Sequence, residues 1–154
     1  MEPLSIAASV AGLLSLTLEV SKTLDTYIGS VKNAPTESLR LAQEVSTLAS
    51  TLGSLGRFLQ AQAPSSPQHF GQTSALVAAA SSCHDTLGTL RATLGKFLDK
   101  AEGKKWYKRL AWPIKRDEHV RIVDAVRRFT QIFQFSLSIE GWYVVLGTQD
   151  RIGS

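Results

Sequence analysis

The stretch SIAASVAGLLSLTLEV, Ser5–Val20, decides how the rest of this chain is read. It contains one charge, Glu19, and the 16 residues from Pro3 to Leu18 contain none. As a helix that uncharged run measures about 24 Å, against a hydrocarbon core of about 30 Å. It falls short of a permanent membrane span. A secretory signal opens on positive charge, whereas the first charge here is Glu2. The second residue is not glycine, which excludes myristoylation. Two readings remain: a helix of a soluble core, or a helix that is core in one state and membrane-seeking in another.

Pro3 suits a first helical position. Leu4, Ala7, Ala8, Ala11, Leu14 and Leu18 recur at spacings of three and four. Ile6, Val10, Leu13 and Leu16 widen that stripe until the first half of the helix is apolar nearly all round. Such a helix belongs at the centre of a bundle or outside water altogether. Val20, Leu24 and Ile28 continue it amphipathically until GSVKNAP breaks it.

Further along, the same period recurs. After Pro35 it runs through Leu39, Ala42, Val45, Leu48, Leu52, Leu55 and Leu59, and QAQAPSSPQH ends it. Ser66 and Pro67 then supply a cap and a first turn. Leu76, Ala80, Cys83, Leu87, Leu90, Leu94, Phe97 and Leu98 form a third seam, closed by Gly103. KKWYKRL reads as a short helical piece ended by AWPI. Asp117 reads as the cap of a last helix carrying Ile122, Val126, Phe129, Phe133 and Leu137. Only YVVLG, Tyr143–Gly147, hints at a strand. The expected fold is all-α, a bundle of four or more helices with short loops.

The 154 residues, 44% hydrophobic, form one domain by length, with enough apolar side chains for a core. The single cysteine, Cys83, excludes a disulfide within the chain and fits a reducing compartment. The net charge of +4 is local. Residues 1–95 carry five basic and six acidic groups, and residues 96–128 carry eleven and five. A basic region of this kind meets nucleic acid or the anionic face of a membrane.

Catalytic chemistry finds little support. SCHD, Ser82–Asp85, has a nucleophile, a base and an acid. Adjacent helical residues point about 100° apart, however, so no relay converges. Cys83 reads as core and His84 as surface. His69, His84 and His119 lack metal-ligand spacing, and no phosphate-binding glycine motif occurs. No cofactor and no metal are expected, and the chain is not read as an enzyme. Nucleic acid is a poor partner, because KKWYKR is not continued by a basic stripe.

Two surfaces remain. One is the opening helix, with Leu4, Ile6, Ala7, Val10, Ala11, Gly12, Leu13, Leu14, Leu16 and Leu18 as its membrane-active positions. Ala7, Ala11 and Ser15, or Ala8 with Gly12, permit close helix approach. The other is a basic and aromatic patch of Lys104, Lys105, Trp106, Tyr107, Lys108, Arg109, Trp112, Lys115 and Arg116. Its aromatic rings read first as a packed elbow over the end of the bundle, with Pro113 fixing the chain direction. They also suit an interface with protein or lipid headgroups.

Two blocks resemble a known family. MEPLSIAASVAGLLSL is similar to the opening of fungal STAND or NOD-like receptor proteins. WYKRLAWPIKRDEHVRIVDAVRRFTQIFQFSLSI, Trp106–Ile139, resembles their second signature. The resemblance implies a HeLo-like helical domain spanning residues 1–154, the N-terminal segment of a larger receptor. It is akin to the heterokaryon-incompatibility HeLo domain and to the four-helix bundle of necroptosis executioners. It further implies regulated cell death in fungal innate immunity, in which a cytoplasmic protein oligomerises with itself and permeabilises the plasma membrane through anionic lipids. The competing expectation is a non-enzymatic docking module, homotypic or heterotypic, that recruits a second helical effector domain.

Overall fold

A computed structural model describes the backbone of residues 3–31, 33–62, 73–101 and 112–153, and the side chains of residues 6–31, 33–61, 76–98 and 112–138. It contains four helices: α1 (Pro3–Ser30), α2 (Thr36–Gln62), α3 (Thr73–Ala101) and α4 (Arg116–Gly153). The all-α bundle expected from the periodicity is the fold. No strand occurs among the described residues, and Tyr143–Gly147 continues α4. A run of five residues is too short for its apolar pattern to separate strand from helix.

Local chemistry explains the helix ends. The Val31 amide donates to the Tyr27 carbonyl at 3.2 Å, the last bond before Asn33-Ala34-Pro35 stops α1. The Pro35 carbonyl starts α2, accepting from the Ser38 amide at 3.0 Å and the Ser38 hydroxyl at 2.7 Å. In α4 the first carbonyl is that of Lys115, which accepts from the His119 amide at 2.8 Å. Lys115 therefore holds the cap position and Asp117 lies inside the first turn. There its carboxylate, with that of Glu118, opposes the positive end of the helix dipole. The expected Ser66–Pro67 start, the Gly103 stop and the short KKWYKRL helix lie outside the described residues.

The helices enclose one core. Each of α1 and α4 packs against both α2 and α3, so α1 and α4 face each other across one diagonal and α2 and α3 across the other. Side-chain ties fix the directions. Arg91 donates to Glu19 at 3.0 Å and the Tyr27 and Phe97 rings lie 5.6 Å apart, which makes α1 and α3 parallel. Arg127 donates to Glu44 at 2.8 Å, and Gln134 to the Thr51 hydroxyl at 3.5 Å, which makes α2 and α4 parallel. Between α1 and α2, a Cβ at Gly56 would stand 3.7 Å from the Val10 side chain. The direction alternates along the chain, yet two of the four packed edges are parallel.

The opening helix resolves into two faces. Ile6, Val10, Leu13, Leu16, Val20, Leu24 and Tyr27 are buried. Ala8, Ala11 and Leu18 are exposed, and Ala7 and Leu14 are half-buried. Of the stripe first read as buried, Ala8, Ala11 and Leu18 therefore face outward and Ala7 and Leu14 sit at the core's margin, while the residues that appeared to widen it form the core. The reason is volume and continuity: Ile6, Val10, Leu13 and Leu16 are the larger side chains, and their row runs on through Val20 and Leu24. The outer row runs into Glu19 and Lys22. Accordingly α1 is one wall of four, neither central nor apolar all round. Leu39, expected in the α2 seam, is also exposed, and Val123 is buried deeper than Ile122.

This assignment predicts unequal costs on α1. Leu13→Ala is expected to lower unfolding free energy by about 2–5 kcal/mol through lost burial and a residual cavity. Leu18→Ala, at a position 53% exposed, is expected to change it by about 0.5 kcal/mol or less. Denaturant midpoints of the two variants check this, and equal losses would contradict the two-faced helix.

Candidate functional site

The positions singled out on α1 do not form one surface. Ile6, Val10, Leu13 and Leu16 point into the core, whereas Ala11, Gly12 and Leu18 face outward and Ala7 and Leu14 lie between. The Leu4 side chain lies outside the described residues. By length and composition, Ile6–Ser30 is apolar enough to cross a membrane, with mean hydropathy 1.2. A core helix passes the same test, and the inner row of α1 is core.

The outward side of α1 meets that of α3 in a shallow groove. Its cavity of about 380 Å³ is lined by Ser9, Gly12 and Leu13 from α1 and by Val77, Ala80, Ser81, His84 and Asp85 from α3. Neither Pro3–Leu18 nor Thr73–Cys83 contains a charged residue. The exposed side chains described in these two stretches are Ala8, Ser9, Ala11, Ser15, Ala78, Ser81 and Ser82, with Leu18 the one large exception, and His84 and Asp85 follow as exposed residues of the groove lining. A Cβ at Gly12 would meet nothing within 4 Å, so the groove is open at that point. Farther along, Glu19 and Arg91 close the edge with an exposed ion pair, an interaction worth about 1 kcal/mol or less.

Of the basic and aromatic patch, Lys104, Lys105, Trp106, Tyr107, Lys108 and Arg109 lie outside the described residues. Trp112 packs its ring 5.0 Å from Tyr27, which in turn meets Phe97. Ile114 is buried beside them. For Trp112 the elbow reading describes the packing: it ties the entry of α4 to the ends of α1 and α3. Tyr27, the hinge of this cluster, had no distinguishing signal beyond its helical register. Lys115 and Arg116 are exposed and are followed at once by Asp117 and Glu118. His119 is buried, and among the described residues neither its Nδ1 nor the Trp112 Nε1 has a hydrogen-bond partner.

SCHD does not converge. Cys83 is fully buried, whereas Ser82, His84 and Asp85 are exposed. Among the described residues no group of three or more His, Cys, Asp or Glu side chains is placed to hold a metal.

These features define a four-helix bundle whose α1–α3 face is uncharged over half its length. Residues 1–114 match the family described as pigment biosynthesis cluster protein PigL N-terminal, and the chain belongs to that family. The match takes in α1, α2, α3 and the Trp112–Ile114 elbow and stops short of α4. No curated protein and no solved structure matches the chain. The family match corrects the resemblance to HeLo-like domains of STAND and NOD-like receptors, and the heterokaryon-incompatibility assignment falls with it. Those residues that carried the resemblance and are described have structural roles in this bundle. The opening helix supplies a core row, Trp112 and Ile114 fill the elbow, and the acidic residues after Arg116 sit at a helix start. Such features recur in unrelated helical bundles and do not distinguish one family from another.

Burial also sets the chemistry of Cys83. Desolvation pushes its thiol up from 9.0 to about 12. Because the folded value is the higher one, this group contributes stability that is whole below about pH 9 and is lost as pH climbs toward 12. At pH 8 alkylation of Cys83 is expected only through unfolding, at a rate that rises with denaturant in step with the loss of helix. Rapid alkylation of the native protein at pH 8 would contradict this burial.

Proposed function

We propose that this chain is a non-enzymatic docking module that associates with a second copy of itself through the outer face of α1 and α3. One observation carries the reading: the outward α1 positions Ala8, Ser9, Ala11, Gly12 and Ser15 are small and uncharged and border a groove that is open at Gly12. Small side chains let helices from two molecules approach closely, where dispersion contacts accumulate. With Asp85 at the groove and the paired Glu19 and Arg91 at its edge as its charges, the face gives little steering toward a charged partner, and it carries none of the basic excess that would make two copies of a +4 chain repel each other there. The family description names the N-terminal part of a pigment biosynthesis cluster protein. That setting suits a module that brings biosynthetic proteins together.

The core role of α1 supports docking over membrane insertion. Turning α1 into lipid requires taking the row from Ile6 to Leu24 out of the bundle, whereas docking uses only the opposite side. Gly12→Arg separates fold from association. Nothing within 4 Å obstructs the new Cβ, and leaving glycine gains somewhat less than the ~1 kcal/mol of helix propensity that separates Gly from Ala. The variant is expected to keep its helicity and cooperative unfolding and to become monomeric by light scattering, while the unaltered chain shows a concentration-dependent dimer. A chain that is monomeric throughout, or a Gly12→Arg dimer of unchanged affinity, would overturn the proposal. Leakage from anionic liposomes by both forms would return α1 to a membrane role.

A further inference from the structure

A second groove of about 310 Å³ lies between the antiparallel helices α3 and α4. Leu90, Ile114 and Ile122 supply its apolar lining, Leu90 and Ile114 buried and Ile122 half-buried. Thr86, Thr89 and Thr93 line the α3 wall on one side of that helix, three and four residues apart. Asp85 stands at one edge, and Glu118 projects from the first turn of α4.

The polar atoms here favour donors: the two carboxylates, when ionised, accept only, and the threonine hydroxyls can accept as well as donate. The Thr93 hydroxyl donates to the Thr89 carbonyl at 3.0 Å, which uses its proton and leaves its lone pairs toward other donors. Among the described residues no basic side chain lines the groove, and neither Asp85 nor Glu118 makes an ion pair. Lys115, at the α4 cap, and Arg121 lie three residues to either side of Glu118, yet neither pairs with it. An apolar lining beside an acceptor-rich, negatively charged wall calls for an occupant with a hydrocarbon body and several N–H donors.

We propose that this groove binds a small organic amine as its ammonium ion. The apolar body rests on Leu90, Ile114 and Ile122, and Glu118 holds the charge with Asp85 as a second acceptor. Size points to a free small molecule. The stretch from Asp85 to Thr93 is about 12 Å long, and ligand pockets begin at about 300 Å³. The site does not depend on the docking proposal. Asp85 sits on the α3 ridge between the two grooves, so Glu118 is the cleaner residue to alter.

The test is a chemical-shift titration of the intact chain with 2-phenylethylamine, 2-phenylethanol and 3-phenylpropionate, which share an aryl body and differ in the polar end. The amine is expected to move the amides of Thr86, Thr89, Thr93 and Ile122 along saturating curves, at least about tenfold tighter than the alcohol, and the carboxylate to move none. Glu118→Gln and Asp85→Asn, each checked for unchanged circular dichroism, should weaken the amine about tenfold and leave the alcohol as it was. Equal affinity for amine and alcohol, shifts outside the groove, or an amine affinity indifferent to both substitutions would overturn the proposal.

Discussion

The inner row of α1 is the contact on which this bundle rests. Since α2 and α3 lie across a diagonal, each is held in place by the two helices between them, and α1 is one of that pair. Ile6, Val10, Leu13, Leu16, Val20 and Leu24 are buried, each contributing about 1.5–3 kcal/mol relative to exposure. Taken together that is comparable to the whole stability of a small domain, about 5–15 kcal/mol. Withdrawing α1 therefore competes with unfolding the protein. Any activity of the opening helix in the folded chain has to use its other side.

The far end of the bundle is fixed by a different kind of contact. Tyr27 leaves the last turns of α1 and meets both Phe97 of α3 and Trp112 at the entry to α4, in tilted arrangements that aromatic rings favour. Its hydroxyl is partly desolvated, which raises its pKa. On the α2–α4 edge, the Glu44–Arg127 pair is partly shielded from water and sets the parallel register of those two helices. Apolar volume at one end and polar register along one edge hold a topology in which helix dipoles align along two of the four contacts.

The helices were legible in the sequence because large apolar residues recur every three or four positions in all four of them. What periodicity could not decide was which of two apolar stripes on α1 faces inward. Alanine counts as apolar in either, and only the continuation of the Ile6 row through Val20 and Leu24 separates them. The misplaced cap at Asp117 has a similar origin, since Lys115 and Asp117 both precede the apolar run and only the carbonyl geometry distinguishes them. Grooves are harder still. The α3–α4 site joins Thr86, Thr89 and Thr93 to Glu118 and Ile122 across a helix pair, and no linear spacing records that meeting. The uncharged α1–α3 face was half visible, as the run from Pro3 to Leu18. Its other half, Thr73–Cys83, became meaningful only once α3 was found parallel to α1.

Native-state hydrogen exchange across α1 tests the central claim most directly. If α1 is a wall of the core, the amides from Val10 to Leu24 exchange only through global unfolding, with the same free energy as those from Val45 to Leu55 in α2. An α1 that opens alone, at a free energy about 2 kcal/mol or more below that of α2, would contradict the account and identify a helix that leaves the bundle.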